Sequence, residues 1–425
     1  MKGKIISALA MCAIGFLLIA TATSHKDDSD TYKNAEETAT SNDKGNTIKI
    51  WYAYKGYEDY INSAIEEYKA EKKLDIRIEL EYISEPGYFD YINSKSIEGN
   101  GPDIFLMGSE YLEKAYLLGL LEENTNLEKF SEDIYGSAAI SAAQYNGKLY
   151  TYPLGFDVSM IVINNSYVSD EINSFEDIKA YADNFNNISE DEHVGETTDD
   201  DSVFSNVKGI LSWDVNTLLF NYGFVGNNIS FYEEGNKKIN INNTEVKKSV
   251  DSYLLLKDYF SLTGEENYND IKNSFSEGEI IFTIAGTDII KTLSDKEIDY
   301  TIKGMVNLTN DIECKSLAYI DLLAVNPRSN NISIAKELAE FISYEYAVNM
   351  YDISDIISCR KDITYENDRL NDCVNIYDNA IIMPNLLETE DYCIIMEEAL
   401  KAIWNGSDVN EILGDLQNKY SERIK

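Results

Sequence analysis

Three short polar loops of the sequence carry side chains that can hold a ligand without reacting with it. The loops are Tyr54-Lys55, Gly108 to Glu110 and Phe156-Asp157, and Trp213 is expected to face them. An ammonium and two carboxylates can pair with hydroxyl groups, and an indole offers a flat apolar face. A neutral sugar presents both kinds of surface, so this set of residues indicates a carbohydrate site.

The sequence offers little for metal binding or for nucleophilic catalysis. Only two histidines occur, His25 and His193, and both stand in polar segments, which disfavours a zinc site or a serine–histidine–aspartate triad. Four cysteines follow the N-terminal apolar segment: Cys314, Cys359, Cys373 and Cys393. They lack the Cys-x-x-Cys spacing of a metal cluster; free thiols and one or two disulfides both fit, and we prefer buried free thiols. No metal and no cofactor is expected.

Length and charge narrow the class of protein. A chain of 425 residues exceeds what one hydrophobic core usually serves, so two lobes or domains are expected. The net charge of −39, from 36 basic and 75 acidic residues, opposes binding to nucleic acid or to an anionic membrane surface. The 31 tyrosines, against 3 tryptophans, supply rings that can both stack and hydrogen-bond.

The N-terminus has the pattern of an export signal. Lys2 and Lys4 precede the apolar run 5–19, and Ala20-Thr21-Ala22 follows it. Such a run is short for a membrane span, so we expect residues 1–22 to be a signal peptide and the protein to work outside the cytoplasm. The polar, aperiodic residues 23–46 are expected to form a flexible tether.

The N-terminal sequence does not by itself indicate a lipid anchor. Leu18-Ile19-Ala20 resembles the start of a lipoprotein cleavage box, but Thr21 stands where the lipid-bearing cysteine belongs. Cys12 comes too early for that role. The protein is therefore expected at the cell surface or secreted, with its mode of attachment open.

The elements that would carry the candidate loops alternate between strand and helix. Ile48 to Tyr52 predicts a strand, and a helical pattern follows to about Lys72. Strands are again expected at 76–83 and 103–107, and a helix after the second of them ends at Gly119. Successive β-α-β units close into a parallel sheet with their loops on one edge, where ligands gather.

Later segments predict a passage into a second lobe. Asn146-Gly147 is a tight-turn signal, and Gly155 to Val158 leads in extended form into a strand at 159–163. Ser174 with Asp177 is typical of a helix start, and 334–351 has the pattern of one amphipathic helix. Further strands are expected at 280–284 and 319–325.

Several short motifs follow one another along the chain. No single motif is specific for a protein family, but their order and spacing together are. They are Ile50-Trp51 with Lys55-Gly56-Tyr57, Gly101-Pro102-Asp103-Ile104, Gly119-Leu120-Leu121, Tyr145 to Leu149 with Tyr152-Pro153, Phe275 to Gly278, Ala335 to Ile342 and Met383-Pro384-Asn385. Together they resemble the substrate-binding proteins of ABC importers, of the two-lobed kind that includes the maltodextrin-binding proteins. The resemblance extends over most of residues 47–425.

The resemblance implies an α/β protein with the periplasmic-binding-protein type II fold. Each lobe would be a mainly parallel sheet flanked by helices, with the ligand cleft between the lobes. The N-terminal lobe would comprise residues 47–155 with 308–346, and the C-terminal lobe 156–307 with 347–425. A monomer of this kind captures a sugar or oligosaccharide and delivers it to ABC permease subunits in the membrane, without catalysis.

The resemblance also extends the set of candidate site residues. Lys55, Glu110 and Asp157 match polar ligand-contacting positions, whereas the positions of three stacking tryptophans are taken by Met107, Asp288 and Cys393. Other aromatic side chains could supply stacking faces instead. The candidate ligand-binding residues are therefore Tyr54, Lys55, Glu110, Asp157, Trp213, Asp288 and Tyr392.

Two other functions are compatible with the sequence. A secreted glycosidase also needs two carboxylates in a cleft, and acidic residues are too plentiful here to decide against one. A degenerate binding protein with a sensing or surface role is the second alternative, and the missing tryptophans favour it mildly. The ordered series of motifs favours the importer component.

Overall fold

The computed structural model describes residues 47–73, 76–84, 87–192, 206–233, 236–309, 311–384 and 389–423. The expected signal peptide, the expected tether, His193 and Asn385 lie outside the described residues. None of the described helices combines the length and the apolar character needed to cross a membrane.

The described strands and helices alternate along the chain. The strands are β1 (Thr47–Tyr52), β2 (Arg77–Tyr82), β3 (Ile104–Gly108), β4 (Gln144–Tyr145), β5 (Lys148–Leu149), β6 (Thr151–Val158), β7 (Met160–Asn164), β8 (Gly209–Ser212), β9 (Ser230–Glu233), β10 (Asn236–Asn240), β11 (Ile280–Ala285), β12 (Tyr300–Lys303), β13 (Leu317–Val325), β14 (Ile357–Ser358) and β15 (Ile381–Ile382). The helices are α1 (Glu58–Lys72), α2 (Tyr88–Ile97), α3 (Leu112–Leu117), α4 (Glu132–Ala143), α5 (Phe175–Glu192), α6 (Leu218–Asn221), α7 (Thr244–Tyr259), α8 (Tyr268–Ser276), α9 (Ile289–Asp295), α10 (Ile332–Glu340), α11 (Met350–Ser354), α12 (Asp368–Asp378), α13 (Thr389–Trp404) and α14 (Val409–Arg423).

The first sheet contains the β-α-β units that the sequence predicts. Its order is β14-β6-β13-β3-β1-β2, with β15 beside β13. Strand β1 pairs in parallel with β2 and with β3, so that Ile50 lies between Leu80 and Ile104. The apolar run of β3 is buried, as expected for a strand covered on both faces.

The sheets are mixed, whereas the resemblance implied mainly parallel ones. In the first sheet, β13 runs antiparallel to both of its long neighbours, β3 and β6. The reason lies in the path of the chain: β6 leaves this sheet for the second one, and β13 returns from it, so the two strands have opposite directions. The second sheet has the order β12-β7-β11-β8, with β7 antiparallel to β11 and β12.

The chain crosses between the two sheets at Ser159. Strand β6 belongs to the first sheet as far as Val158, and β7 pairs in the second sheet from Met160 onward. Ser159 also binds the returning chain: its amide donates to the Leu317 carbonyl (3.0 Å), and its Oγ accepts from the Leu317 amide (2.9 Å). The outgoing and returning segments are thereby tied at one point.

The residues that form the first sheet differ in detail from those that the resemblance assigned to the N-terminal lobe. The first sheet keeps the chain up to residue 158, three residues beyond the implied boundary at 155. It also takes in β14 and β15, which the resemblance assigned to the C-terminal lobe. Helix α12 lies across the junction, because Tyr377 stacks on Phe156 of the first sheet and Arg369 lies over the ring of Tyr300 in the second.

Local signals in the sequence are confirmed where side chains or turns fix the backbone. Asn146 and Gly147 both have positive φ, as the tight turn between β4 and β5 requires. Ser174 and Asp177 exchange hydrogen bonds at the start of α5, since each side chain accepts from the other's amide. The predicted buried free thiols are also found, at Cys314, Cys359 and Cys373.

The long helix expected over 334–351 is interrupted. Helix α10 ends at Glu340, and a π-helical turn (Phe341–Glu345) follows before α11. Here Tyr60 donates its hydroxyl hydrogen to the Ile342 carbonyl, and Ser343 donates to the Pro153 carbonyl. The widened turn accommodates these buried side-chain bonds, which an apolar periodicity does not reveal.

The core position of β13 leads to a stability prediction. Leu323 is fully buried between β3 and β6, so Leu323→Ala is expected to lower the free energy of unfolding by about 2–5 kcal/mol through a cavity. The matched control is Leu255→Ala on α7, where the side chain is 61% exposed and a change within about 0.5 kcal/mol is expected. Urea unfolding measures both. Equal stability of the two variants would contradict the central place of β13.

Candidate functional site

The floor of the candidate site is formed where β6 and β13 lie side by side near the crossing. Asp157 and Tyr319 are directly opposite in register, and Asp321 is two residues further along β13 on the same face. These three side chains are half-buried, whereas their sequence neighbours are fully buried. One face of the two strands is therefore partly open to solvent at this place.

The loop after β1 brings aromatic side chains over this floor. Tyr57 donates its hydroxyl hydrogen to Oδ2 of Asp321 at 2.8 Å, and the ring of Tyr54 packs edge-on against the ring of Tyr57 at 5.7 Å. Tyr54 is 49% exposed, so its ring can contact a ligand. Desolvation of the hydroxyl, and then the carboxylates of Asp321, Asp157 and Asp288, raise the pKa of Tyr54 to about 12.

The second lobe contributes the turn after β11. Asp288 accepts a hydrogen bond from the Tyr268 hydroxyl (2.6 Å) and forms an ion pair with Lys272 (2.7 Å). Thr287 reaches across to the first lobe, where its amide and hydroxyl both donate to Oδ1 of Asp157, at 2.8 and 3.0 Å. The predicted residues Tyr54, Asp157 and Asp288, from separate segments, are thus brought together.

Burial makes two of these carboxyl groups hard to ionise. Desolvation, followed by repulsion from Asp288, raises the pKa of Asp157 to about 6, against the hydrogen bonds from Thr287. Desolvation likewise raises the pKa of Asp321 to about 7, with the Tyr57 hydrogen bond opposing and the charge of Asp157 adding to the shift. Within the described part of the chain, neither group has a lysine or arginine in an ion pair. Near neutral pH, Asp321 can accept or donate a hydrogen bond.

Glu110 lies near the floor of the candidate site, whereas the side chain of Lys55 contacts a ring outside it. Glu110, in the short turn Ser109–Tyr111, is close enough to Tyr319 to contribute to the raised pKa of that tyrosine, after desolvation and the neighbouring Cys393. Lys55 is exposed and places its ammonium 4.7 Å from the centroid of the Tyr82 ring. The Tyr82 ring offers the charge of Lys55 an aromatic face. A ligand contact of Lys55 stays a prediction.

Trp213 and Tyr392 lie in the core of the second lobe. The sequence had led us to expect both rings to be exposed as stacking faces. Trp213 is 1% exposed, and its indole nitrogen donates to Oδ1 of Asn221 at 3.0 Å. Tyr392 is fully buried and shares a hydrogen bond with the Tyr222 hydroxyl. Both polar atoms have internal partners, which is what allows these large rings to be buried.

Sequence reasoning missed Asp321, Tyr319 and Thr287. Asp321 had a detectable signal, because a lone carboxyl group interrupts the otherwise apolar run of β13 and must have a reason to be there. Thr287 had no signal, since its role depends on a contact between distant segments. Among the described residues, no group of acidic, cysteine or histidine side chains is arranged to hold a metal ion.

The raised pKa of Asp321 predicts a pH-dependent gain of stability in Asp321→Asn. The amide still accepts from Tyr57 but cannot ionise. An aspartate in the unfolded chain has a pKa near 4 and the folded value is about 7, so the cost of ionising Asp321 develops as the pH rises between these values. At pH 8 the variant should be more stable than the parent by on the order of 2 kcal/mol, and the difference should largely vanish at pH 4.

Chemical unfolding at several pH values tests this expectation. Asp270→Asn on the exposed start of α8 is the matched control and should show no such trend. A stability difference that is the same at pH 4 and pH 8 would contradict the assignment.

Comparisons with known proteins agree with this architecture. The sequence pattern of a family described as bacterial extracellular solute-binding protein matches residues 63–368. The galactooligosaccharide-binding protein of Bacillus subtilis (strain 168) is 22% identical over 326 residues, which are 72% of this chain and 71% of that protein.

Two solved structures are similar over nearly the whole chain. The extracellular solute-binding protein from Staphylococcus aureus in complex with maltose has a TM-score of 0.73 at 20% identity, covering 90% of this chain and 98% of its own. A cyclo/maltodextrin-binding protein complexed with maltotetraose has a TM-score of 0.72 at 15% identity, covering 91% and 99%. The predicted two-lobed fold is confirmed, and since the family pattern spans most of the chain, this protein belongs to the bacterial extracellular solute-binding proteins.

Proposed function

We propose that the protein is the extracytoplasmic substrate-binding component of an ABC importer. As a monomer, it captures a sugar or oligosaccharide between its two lobes and delivers it to permease subunits in the membrane. The observation that carries the proposal is the position of Tyr54, a half-exposed ring near the carboxylates of Asp157 and Asp321 from one lobe and of Asp288 from the other. A ligand bound there contacts both lobes, which favours the closed form.

The chemistry of this cleft suits a carbohydrate. Carboxylates and tyrosine hydroxyls accept and donate hydrogen bonds to sugar hydroxyls, and the face of Tyr54 can lie against the apolar side of a pyranose ring. The names of the relatives mention galactooligosaccharide, maltose and maltotetraose. These sugars are the first ligands to test, and we propose binding without turnover because the relatives are named as binding proteins.

The binding prediction concerns Tyr54. Once isothermal calorimetry has identified a sugar, Tyr54→Ala should weaken binding by ~2 kcal/mol, about thirtyfold, because a stacking aromatic is lost from the cleft. Tyr54→Phe, which keeps the ring, should lose much less. Tyr259→Ala on α7 is the matched control, since this tyrosine is 40% exposed and belongs to a surface helix.

The same experiment separates binding from catalysis. The sugar should be recovered unchanged from the complex, by mass spectrometry after release. Products of hydrolysis would assign the protein to the glycosidases instead. If a folded Tyr54→Ala variant binds the sugar with unaltered affinity, the sugar does not bind at the floor formed by β6 and β13.

Export is the second part of the proposal, and it depends on residues outside the described ranges. We propose that residues 1–22 direct secretion and are removed, and that 23–46 act as a tether of undetermined attachment. Expression in a secreting bacterial host, followed by N-terminal sequencing, should give a product that begins near Thr23. A cytoplasmic product that retains Met1 would refute this part without touching the binding site.

A further inference from the structure

The floor of the candidate site carries two carboxyl groups that have no basic partner among the described residues. Asp157 on β6 and Asp321 on β13 are half-buried, and neither forms an ion pair in the described part of the chain. Burial distinguishes them from the surface acids that give the chain its net charge of −39. A desolvated carboxylate is costly unless a positive charge compensates it.

Two lysines lie in neighbouring segments, and both have other partners. Lys272 on α8 forms its ion pair with Asp288, at 2.7 Å. Lys55, in the loop after β1, places its ammonium 4.7 Å from the centroid of the Tyr82 ring. The negative charge of the floor is therefore not compensated by either lysine.

The floor leaves room for a cation to make directed contacts. The Tyr57 hydroxyl donates to Oδ2 of Asp321, and no other hydrogen bond to this carboxyl group is found among the described residues. Tyr54 is 49% exposed, and its hydroxyl is close enough to Asp321, Asp157 and Asp288 for their charges to raise its pKa, after desolvation. A cation beside Asp321 would also be attracted by the electron-rich face of the Tyr54 ring.

We propose that the ligand of this site carries a protonated amino group, as an amino sugar does. The inference rests on the proposed function and narrows its substrate class from sugars in general to aminated ones. A neutral sugar would cover both carboxyl groups without compensating their charge, whereas an ammonium compensates it and donates up to three hydrogen bonds. Asp157 and Asp321 would thus determine specificity, by favouring an amine over a hydroxyl at one position of the ligand.

Protonation of the floor gives the binding of an amino sugar a definite pH dependence. Burial raises the pKa of Asp157 to about 6 and that of Asp321 to about 7. As the pH falls from 7 to 5, both groups take up protons and lose their attraction for an ammonium. The affinity for an amino sugar should therefore fall over this range, whereas a neutral sugar loses no charge contact.

The neighbouring titratable groups do not produce this dependence. Around the two carboxyl groups lie buried phenols and thiols, the Asp288–Lys272 pair, and the Glu110 carboxylate, which lies against Gly108 opposite Asp321 on β3. The phenols and thiols are those of Tyr54, Tyr57, Tyr268, Tyr319, Cys359 and Cys373. Burial raises the pKa of each of them above its ordinary value, so they stay neutral between pH 5 and pH 7.

Calorimetry with matched sugars tests the inference. The amino sugars are glucosamine, galactosamine and the β-1,4-linked disaccharide of glucosamine, and their partners with hydroxyl in place of each ammonium are glucose, galactose and cellobiose. At pH 7 the amino sugar should bind at least about tenfold more tightly than its partner, and the preference should shrink at pH 5. The probe 1,4-diaminobutane supplies ammonium groups without a sugar and should bind more weakly than the amino sugars.

Asp321→Asn identifies the source of the preference. The variant keeps an acceptor for Tyr57 but loses the charge, so the ratio of the two affinities should fall several-fold, mainly through weaker binding of the amino sugar. Asp270→Asn on α8 is the matched control and should keep the ratio of the parent. Urea unfolding establishes that both variants are folded.

The outcomes separate this inference from the proposed function. If maltose or a neutral partner binds as tightly as the amino sugars, or if Asp321→Asn keeps the full preference, the inference is wrong and the proposed function stands. Tight binding of 1,4-diaminobutane without binding of any sugar would refute the proposed function, and the inference with it.

Discussion

The exchange of hydrogen bonds between Ser159 and Leu317 is the constraint on which the arrangement of the two lobes depends. It ties the segment that leaves the first sheet to the segment that returns to it. With that point fixed, the register between β6 and β13 places Asp157 opposite Tyr319. The alternation of side chains along β13 then puts Asp321 on the same face as Tyr319. The floor of the cleft is thus a consequence of how the chain crosses between the sheets.

The polar floor comes at a cost in stability. Asp157 and Asp321 are half-buried and have no basic partner among the residues that the structure describes, and burial holds the pKa of both carboxyl groups well above that of an exposed aspartate. Apolar side chains at these positions would instead add to the hydrophobic core that surrounds β13. Groups that remain despite such a cost are typical of functional sites, where hydrogen-bonding capacity is kept ready for a ligand.

Local sequence signals predicted local structure well, because the causes lie within a few residues. The turn at Asn146-Gly147, the start of α5 at Ser174 and the strands of the first β-α-β units all follow from adjacent side chains. The direction of β13 and the π-helical turn after α10 do not, since they depend on the path of the chain through a second lobe and on buried partners such as Pro153.

The same distinction explains the outcome for the candidate site. Tyr54, Asp157 and Asp288 sit at the ends of predicted elements, but their convergence also depends on how the chain crosses between the two sheets. Trp213 and Tyr392 have the composition of stacking residues, but their burial is set by Asn221 and Tyr222, whose positions no pattern in the sequence reveals. Lys55 was correctly placed in its loop, and only its side chain turns toward Tyr82.

In the proposed site, tyrosine supplies the aromatic rings for which the resemblance implied tryptophans. At the positions expected for stacking platforms, Met107 is buried, Asp288 is bonded to Tyr268 and Lys272, and Cys393 is half-buried near Tyr319. The rings that remain at the floor, Tyr54 and Tyr319, each carry a hydroxyl. We therefore expect a ligand of the proposed site to meet more hydrogen-bonding groups than apolar faces, and its hydroxyl pattern to contribute more to recognition than the number of its rings.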